Sequence, residues 1–475
     1  MFFVGMQRRI VSVVSKRNGK VAALLLVLAL GLQGCGATLQ TRNANLDNQL
    51  ATGDFVGAAL AVEQSMGLAS RDVNNLPPVE FKSRNVLDHL DAAKAWLLAG
   101  DDQRAMQHFE AAEIVLGDVD RDGNIARGAQ QVGGALLGDG AMVYRPSPSE
   151  AVLINYYKAI LFMRDGRHDD ARVELNRADE RTRRAVARYS RELDEARSEA
   201  RQRGASEVNA SSFAATHYPE MQTWQPYTDF VLPPATYLQA LFLGLQGNAS
   251  DTESARNLMQ RVVDMTDNPS AHRDLQMLSQ GNLCPENNCV WVISEHGLGP
   301  TLVEKRVDLP VPTSNGFVVV SIALPSLVTR TNDATPYFRL VSGQNEFSLE
   351  PLASMDRTVQ TEFTKRFPAM VARATAGAVA RAVVQDEIGR RHGALAGFVA
   401  SVASMATTNA DVRMWRSMPG GFSAARYSYQ PGSTITIRSV SGDQTVTLNG
   451  TGPQIIYIKQ VGPTAAPIVT QLLGA

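Results

Sequence analysis

The chain has 475 residues, long enough for two or three domains with sizeable cores, and 46 Lys+Arg against 47 Asp+Glu give it a formal net charge of −1. Removing Met1 to Gly34, which carries five basic residues and no acid, leaves 41 against 47, so the remainder is mildly acidic. That balance gives no reason to expect nucleic-acid binding.

In Met1 to Gly34, Arg8, Arg9, Lys16, Arg17 and Lys20 precede the apolar run Val21 to Leu32, too short to span a bilayer stably, which is the order of a secretory signal. The run ends in Leu32-Gln33-Gly34-Cys35, similar to a bacterial lipobox. In such signals the cysteine thiol is acylated before cleavage, so residues 1–34 are expected to be a lipoprotein signal peptide and Cys35 the lipid-bearing first residue, followed by a tether over 35–50. Gly36 in place of an Asp after the cysteine favours the outer membrane, with the body facing the periplasm. Of the three cysteines, the other two stand in CPENNC, and in an exported chain Cys284 and Cys289 are expected to form a disulfide.

Residues 51–280 read as helical hairpins. In Asn155 to Arg184, Ala159 and Phe162 precede Gly166, and Ala171, Leu175 and Ala178 follow at offsets of five, nine and twelve. The same spacing surrounds Gly100 and begins at Gly53 with Ala58, the latter without a clear first helix. Around Gly247 it returns with three residues inserted before Ala255. The pattern resembles the tetratricopeptide repeat, in which each helix pair buries its apolar face only against its neighbours. The apolar stripe of the central unit continues to Ala200, so its second helix should run on to Gly204, with Gly204 to Glu220 aperiodic. Asp118, Asp120, Asp122 and Gly123 resemble the first half of an EF-hand loop, but Ala129 occupies the position of the bidentate Glu, and a solvated acidic turn is the simpler reading.

From Cys289 the apolar period changes to two, and strands punctuated by Pro431-Gly432, Ser441-Gly442 and Asn449-Gly450 predict an antiparallel β-sandwich over 281–465 with a helical insertion at 355–409. The chargeless stretch Gly393 to Ala406 is expected to pack inside the protein. The fold class is thus α+β and multidomain: a helical repeat layer followed by a β domain completed from both sides of the insertion.

Three segments carry a wider resemblance. Ile154 to Arg181, Val290 to Val311 with Glu295, Gly297 and Pro300, and Asn409 to Gly432 with Asp411, Arg413, Trp415 and Pro419 are similar to landmarks of an uncharacterised family of bacterial outer-membrane-type lipoproteins with tetratricopeptide-like repeats. The resemblance implies location and architecture and assigns no catalytic residue. The seven histidines form no zinc-hydrolase pair, and nucleophile-elbow and phosphate-loop motifs do not occur. No cofactor or metal is therefore expected. Asp411 and Arg413 beside Trp415 read as a structural clamp. The expected role is a protein–protein interaction scaffold in cell-envelope assembly or maintenance, bound to the membrane through its lipid. Its partner would be an envelope protein or peptide met by polar groups such as Asn155 and Lys158 on the first helices of the repeats. The alternative is an envelope enzyme acting on peptidoglycan or a glycan.

Overall fold

A computed structural model describes residues 41–68, 77–79, 86–121, 144–205, 208–228, 232–313, 316–330, 335–393, 409–450 and 452–473. The chain divides after Asn48, and the architecture below is that of Gln49–Ala475, one compact unit. The signal, Cys35 and the chargeless stretch after Gly393 lie outside the described residues.

The first part is helical: α1 (Phe55–Met66), α2 (Val86–Ala99), α3 (Asp102–Arg121), α4 (Pro148–Arg164), α5 (His168–Gln202), α6 (Ala210–His217), α7 (Pro233–Gly244), α8 (Ala249–Thr266) and α9 (Pro269–Ser279). Gly53, Gly100, Gly166 and Gly247 all have φ between 71° and 85°, the left-handed region where a side chain would be strained, and each ends one helix just before the next begins. The alanines that follow them, Ala58, Ala105, Ala171 and Ala255, are fully buried, as small residues at a close helix–helix approach must be. Trp96, Phe109, Phe162 and Leu175 are buried too. Gly53 is preceded by a helix over 41–52, which the sequence pattern did not reveal. The helix α5 ends one residue before Arg203 and Gly204, where φ is 70°.

Two local expectations are corrected. The backbone of α3 is helical through Arg121, so Asp118 and Asp120 sit in its last turns and not in the acidic turn expected there. The stretch after Gly204 holds α6, because Asn209 caps it by accepting from Ser212 N at 3.0 Å and Phe213 anchors it in a core.

The second part contains β1 (Cys289–His296), β2 (Thr301–Thr313), β3 (Gly316–Val328), β4 (Phe338–Ser342), β5 (Asn345–Phe347), β6 (Glu350–Ser354), the 38-residue α10 (Met355–His392), β7 (Gly421–Ser428), β8 (Thr434–Ser439), β9 (Gly442–Thr447), β10 (Gln454–Gln460) and β11 (Ile468–Leu473). Strand order in the largest sheet is β11-β10-β1-β7-β6, a second sheet is β5-β4-β8-β9, and β2-β3 stand as a pair. Both larger sheets draw strands from either side of α10, as expected. Among the described residues the antiparallel expectation holds for all pairings but one: β1 runs parallel to β10, with Val290 opposite Gln454 and His296 opposite Gln460. A parallel pair needs a crossover, and here more than 150 residues, including a second sheet and α10, separate the two strands. The β part also continues past residue 465, since β11 pairs with β10.

The central strand β1 is buried along its whole length, as a strand covered on both faces must be. Val290 and Val292 face a core that includes Phe338, Leu340, Ile435 and Ile437 of the second sheet. The alternate residues Trp291, Ile293 and Glu295 face the helices. That second face is polar where it matters: Trp291 Nε1 donates to the buried Asp274 of α9 at 3.0 Å, and Asn268 donates to the carbonyls of Glu350 and Pro351 at 3.1 and 3.0 Å. The helical and β parts are therefore one body and not two domains joined by a linker. A further core lies between α10, the β2-β3 pair and α6, around Tyr218, Phe363, Phe367, Val320 and Ile322.

Candidate functional site

The carboxyl ends of the parallel strands β1 and β10 lie side by side, placing Glu295 opposite Lys459 and His296 opposite Gln460. From the helical side α2 contributes Lys94 and α4 contributes Tyr157. Lys94 Nζ pairs with Glu295 Oε1 and donates to Tyr157 Oη at 2.8 Å, while Tyr157 and Tyr457 hydroxyls donate to Glu295 Oε2 at 2.7 and 2.8 Å. All four side chains are buried. Burial alone would raise the Glu295 carboxyl, but the Lys94 ammonium and the Tyr157 hydroxyl outweigh it and hold the group below the usual carboxylate range. Lys459, on the same side, is pushed down to about 8 by burial, against the attraction of Glu295. The space left among Lys94, Glu295, His296, Ser417 and Gln460 is about 10 Å³, room for roughly one water.

A second layer of polar contacts surrounds this centre. Asp91 accepts from Ser417 N at 2.9 Å and from its hydroxyl at 2.6 Å. Glu150 accepts from Trp415 N at 2.7 Å, from Ser147 N at 2.7 Å in a capping box of α4, and from the Tyr144 hydroxyl. Glu362 of α10 completes the same helix start by accepting from Ser149 N at 2.7 Å and Ser149 Oγ at 3.0 Å. The three stretches that carry the family resemblance, α4, the end of β1 and residues 409–419, thus meet at one buried junction. Trp415 is its plug, packed edge-on to Tyr157 and Phe109 at ring distances of 6.0 and 6.3 Å. Arg413 grips Asp411 with Nε and Nη2 at 2.7 and 2.9 Å, a bidentate ion pair.

The disulfide is formed: Cys284 and Cys289 are bonded, with Cα atoms 5.9 Å apart. Asn155 and Lys158 are a correction. Both are buried, at 0 and 4 % exposure, so they are not offered to a partner. Asn155 donates to Glu113 at 3.1 Å and to Glu174, while Lys158 reaches Glu113 at 2.6 Å and Glu174 at 3.0 Å. The reason is that α4 touches α3, α5, α7, α10 and β11, so no long face of it remains for solvent. Lys94, Glu295 and Lys459 were not singled out as a site by their sequence, yet a charge inside an otherwise apolar run, as in DAAKAWLLA, VWVISEH and QIIYIKQ, is a usable signal of a buried pair.

Burial raises Glu362 to about 7, and the nearby Glu150 adds to this. Because the folded pKa lies above the unfolded value, the fold gains stability from the bound proton below pH 4.5 and loses it as pH rises through 7. Glu362→Gln should therefore be more stable than the parent by about 2 kcal/mol at pH 8 and indistinguishable from it at pH 5. Urea midpoints at the two pH values test this, and an equal gap at both would show that Glu362 does not titrate in this range.

No family model, curated protein or solved structure matches the chain.

Proposed function

We propose that the protein is a lipid-anchored scaffold of the bacterial cell envelope, its body facing the periplasm and serving as a binding platform for another envelope protein or peptide. The observation that carries the location is the run of basic residues, apolar core and Leu32-Gln33-Gly34-Cys35. The bonded Cys284 and Cys289 fit an oxidising compartment.

The scaffold reading is supported by how the polar side chains are used. The buried charges at the carboxyl ends of β1 and β10 bind one another, and the space beside them holds about one water, too little for a peptide or sugar substrate. Such a junction fixes the helical hairpins rigidly on the sheet. The hairpins read as tetratricopeptide-like units and the two facing sheets as a sandwich, and the buried Asn155 and Lys158 move the search for the docking groups to exposed positions of the second helices and of the sheet edges.

Replacing Cys35 by Ser decides the anchor. The variant should lose metabolic labelling with palmitate and keep the larger mass of the uncleaved chain, while labelling that persisted would reject lipid attachment at this residue. In vivo crosslinking from exposed positions of the same chain would then identify what it holds.

A further inference from the structure

Between α10 and β7, residues 409–420 form neither helix nor strand, yet Ala410, Trp415, Ser417 and Met418 are buried. A buried loop must still place its backbone N–H groups, and this one gives them to side chains. Ala410 N donates to Glu304 at 2.9 Å, Arg413 N to Asp411 at 3.2 Å, Trp415 N to Glu150 at 2.7 Å and Ser417 N to Asp91 at 2.9 Å. Each of these acceptors is a carboxylate. Past Ser417 the chain returns to backbone partners: Met418 O accepts from Gly299 N at 2.8 Å, Gly420 N donates to His296 O at 2.9 Å, and Gly420 O accepts from Met355 N at 2.9 Å. Residues 409–417 thus lie as a strap, fixed at its end by 418–420 and fastened along its length by acids. It covers the junction described above, since Ser417 and Pro419 line the small space beside Lys94 and Glu295, and Trp415 packs against Tyr157 and Phe109.

The fastenings on α2 and α4 differ from ordinary ion pairs. Among the described residues neither Asp91 nor Glu150 makes a salt bridge, and their exposures are 4 and 1 %. A carboxylate out of water and without a bound cation takes a proton readily. Burial pushes Asp91 up to about 6, with Asp88 adding to the shift and the Ser417 hydrogen bonds and Arg416 opposing it. Burial likewise raises Glu150, against its bonds from Tyr144, Trp415 and Ser147 and the attraction of Arg366. The charges on neighbouring elements are engaged elsewhere: Lys94 with Glu295, Arg366 with Glu192 at 3.5 Å, and Arg104 and His108 of α3 with Glu63 of α1. Glu362 of α10 is a further acid acting on Glu150. Once the strap lifts, both fastening acids meet water and return to the ordinary carboxylate range. The closed state therefore binds protons that the open state does not. Its advantage is full below pH 3.8 and is lost as pH rises through 6.

We propose that residues 409–417 are a pH-governed strap over the Lys94–Glu295 junction, fastened by Asp91 and Glu150 in mildly acidic solution and lifted more often as the medium turns alkaline. Lifting withdraws Trp415 from Tyr157 and Phe109 and admits water to a centre that is closed in the structure. The device works wherever the chain is anchored, so it stands apart from the outcome of the Cys35→Ser experiment.

Amide hydrogen exchange of the purified chain, followed by mass spectrometry on peptides covering 409–420 and corrected for the intrinsic pH dependence of exchange, measures the lifting. From pH 5 to pH 8 the protection of the strap should fall by about tenfold or more, and by more than that of β10 peptides, which report global unfolding. In Asp91→Asn, which keeps the Oδ1 that accepts both Ser417 bonds, the fall should be about tenfold smaller than in the parent. Strap protection equal at the two pH values, or falling only in step with β10, would overturn the proposal. So would an undiminished fall in Asp91→Asn, which would assign the pH dependence to another group.

Discussion

Glu295→Ala should lower the free energy of unfolding by about 3–5 kcal/mol, as measured in urea, because it leaves the buried Lys94 ammonium without its counter-charge. It also deprives the Tyr157 and Tyr457 hydroxyls of their common acceptor. The double variant Lys94→Met with Glu295→Gln removes both charges together and should recover most of that loss, since the expensive state is a single unpaired charge and not the absence of the pair. If the double variant were as unstable as the sum of the two single ones, the junction would not be coupled in the way its geometry indicates. The same comparison bears on the scaffold reading. A structural clamp tolerates the neutral double replacement in crosslinking to its partner, whereas a site that uses Lys94 or Glu295 chemically does not.

The parts of the fold that could be read from the sequence are those set by local backbone chemistry. Gly53, Gly100, Gly166 and Gly247 stand out because a left-handed turn between helices admits few other residues, and the buried alanines after them follow from helical spacing. The extent of α5 was legible because helical period suffices, and the bond between Cys284 and Cys289 because two near cysteines in a chain read as exported favour a disulfide. What was not legible depends on partners distant in the chain. The parallel pairing of β1 with β10 is fixed by which strands fill a sheet, and nothing in VWVISEH names QIIYIKQ as its neighbour. Asn155 and Lys158 were misplaced because a helix surrounded on all sides gives no sign in its own sequence of which neighbours enclose its polar positions. The junction of Lys94 with Glu295 joins residues 201 positions apart, and each alone reads only as an anomaly in an apolar run.

The second large effect is expected at Glu63, in a buried network independent of the first. Its Oε1 accepts from Trp96 Nε1 at 2.7 Å, Arg104 Nε at 2.8 Å and His108 Nε2 at 2.9 Å, and its Oε2 accepts from Arg104 Nη2 at 3.0 Å. One carboxylate thereby ties α1 to both helices of the next hairpin. Burial holds His108 below the usual imidazole range, so the neutral ring gives its Nε2 proton to Glu63 and its Nδ1 is the acceptor in the 2.9 Å contact with His89 Nδ1. Burial opposes the charge on Glu63, but the hydrogen bonds from His108, Arg104 and Trp96 prevail and hold the group at about 2. Glu63→Ala should cost about 3–5 kcal/mol, because the Arg104 guanidinium keeps only Pro77 O, at 2.7 Å, among these partners and the Trp96 indole loses its acceptor. Glu63→Gln, which keeps the shape without the charge, should cost about 2 kcal/mol at pH 7. The sign of its pH dependence follows from the depressed pKa: the stability due to the charge is fully present above 4.5 and is lost as pH falls through 2. The difference between Glu63→Gln and the parent should therefore narrow between pH 5 and pH 3 in urea titrations. A difference that stayed constant over that range would place the contribution of Glu63 in packing and not in its charge.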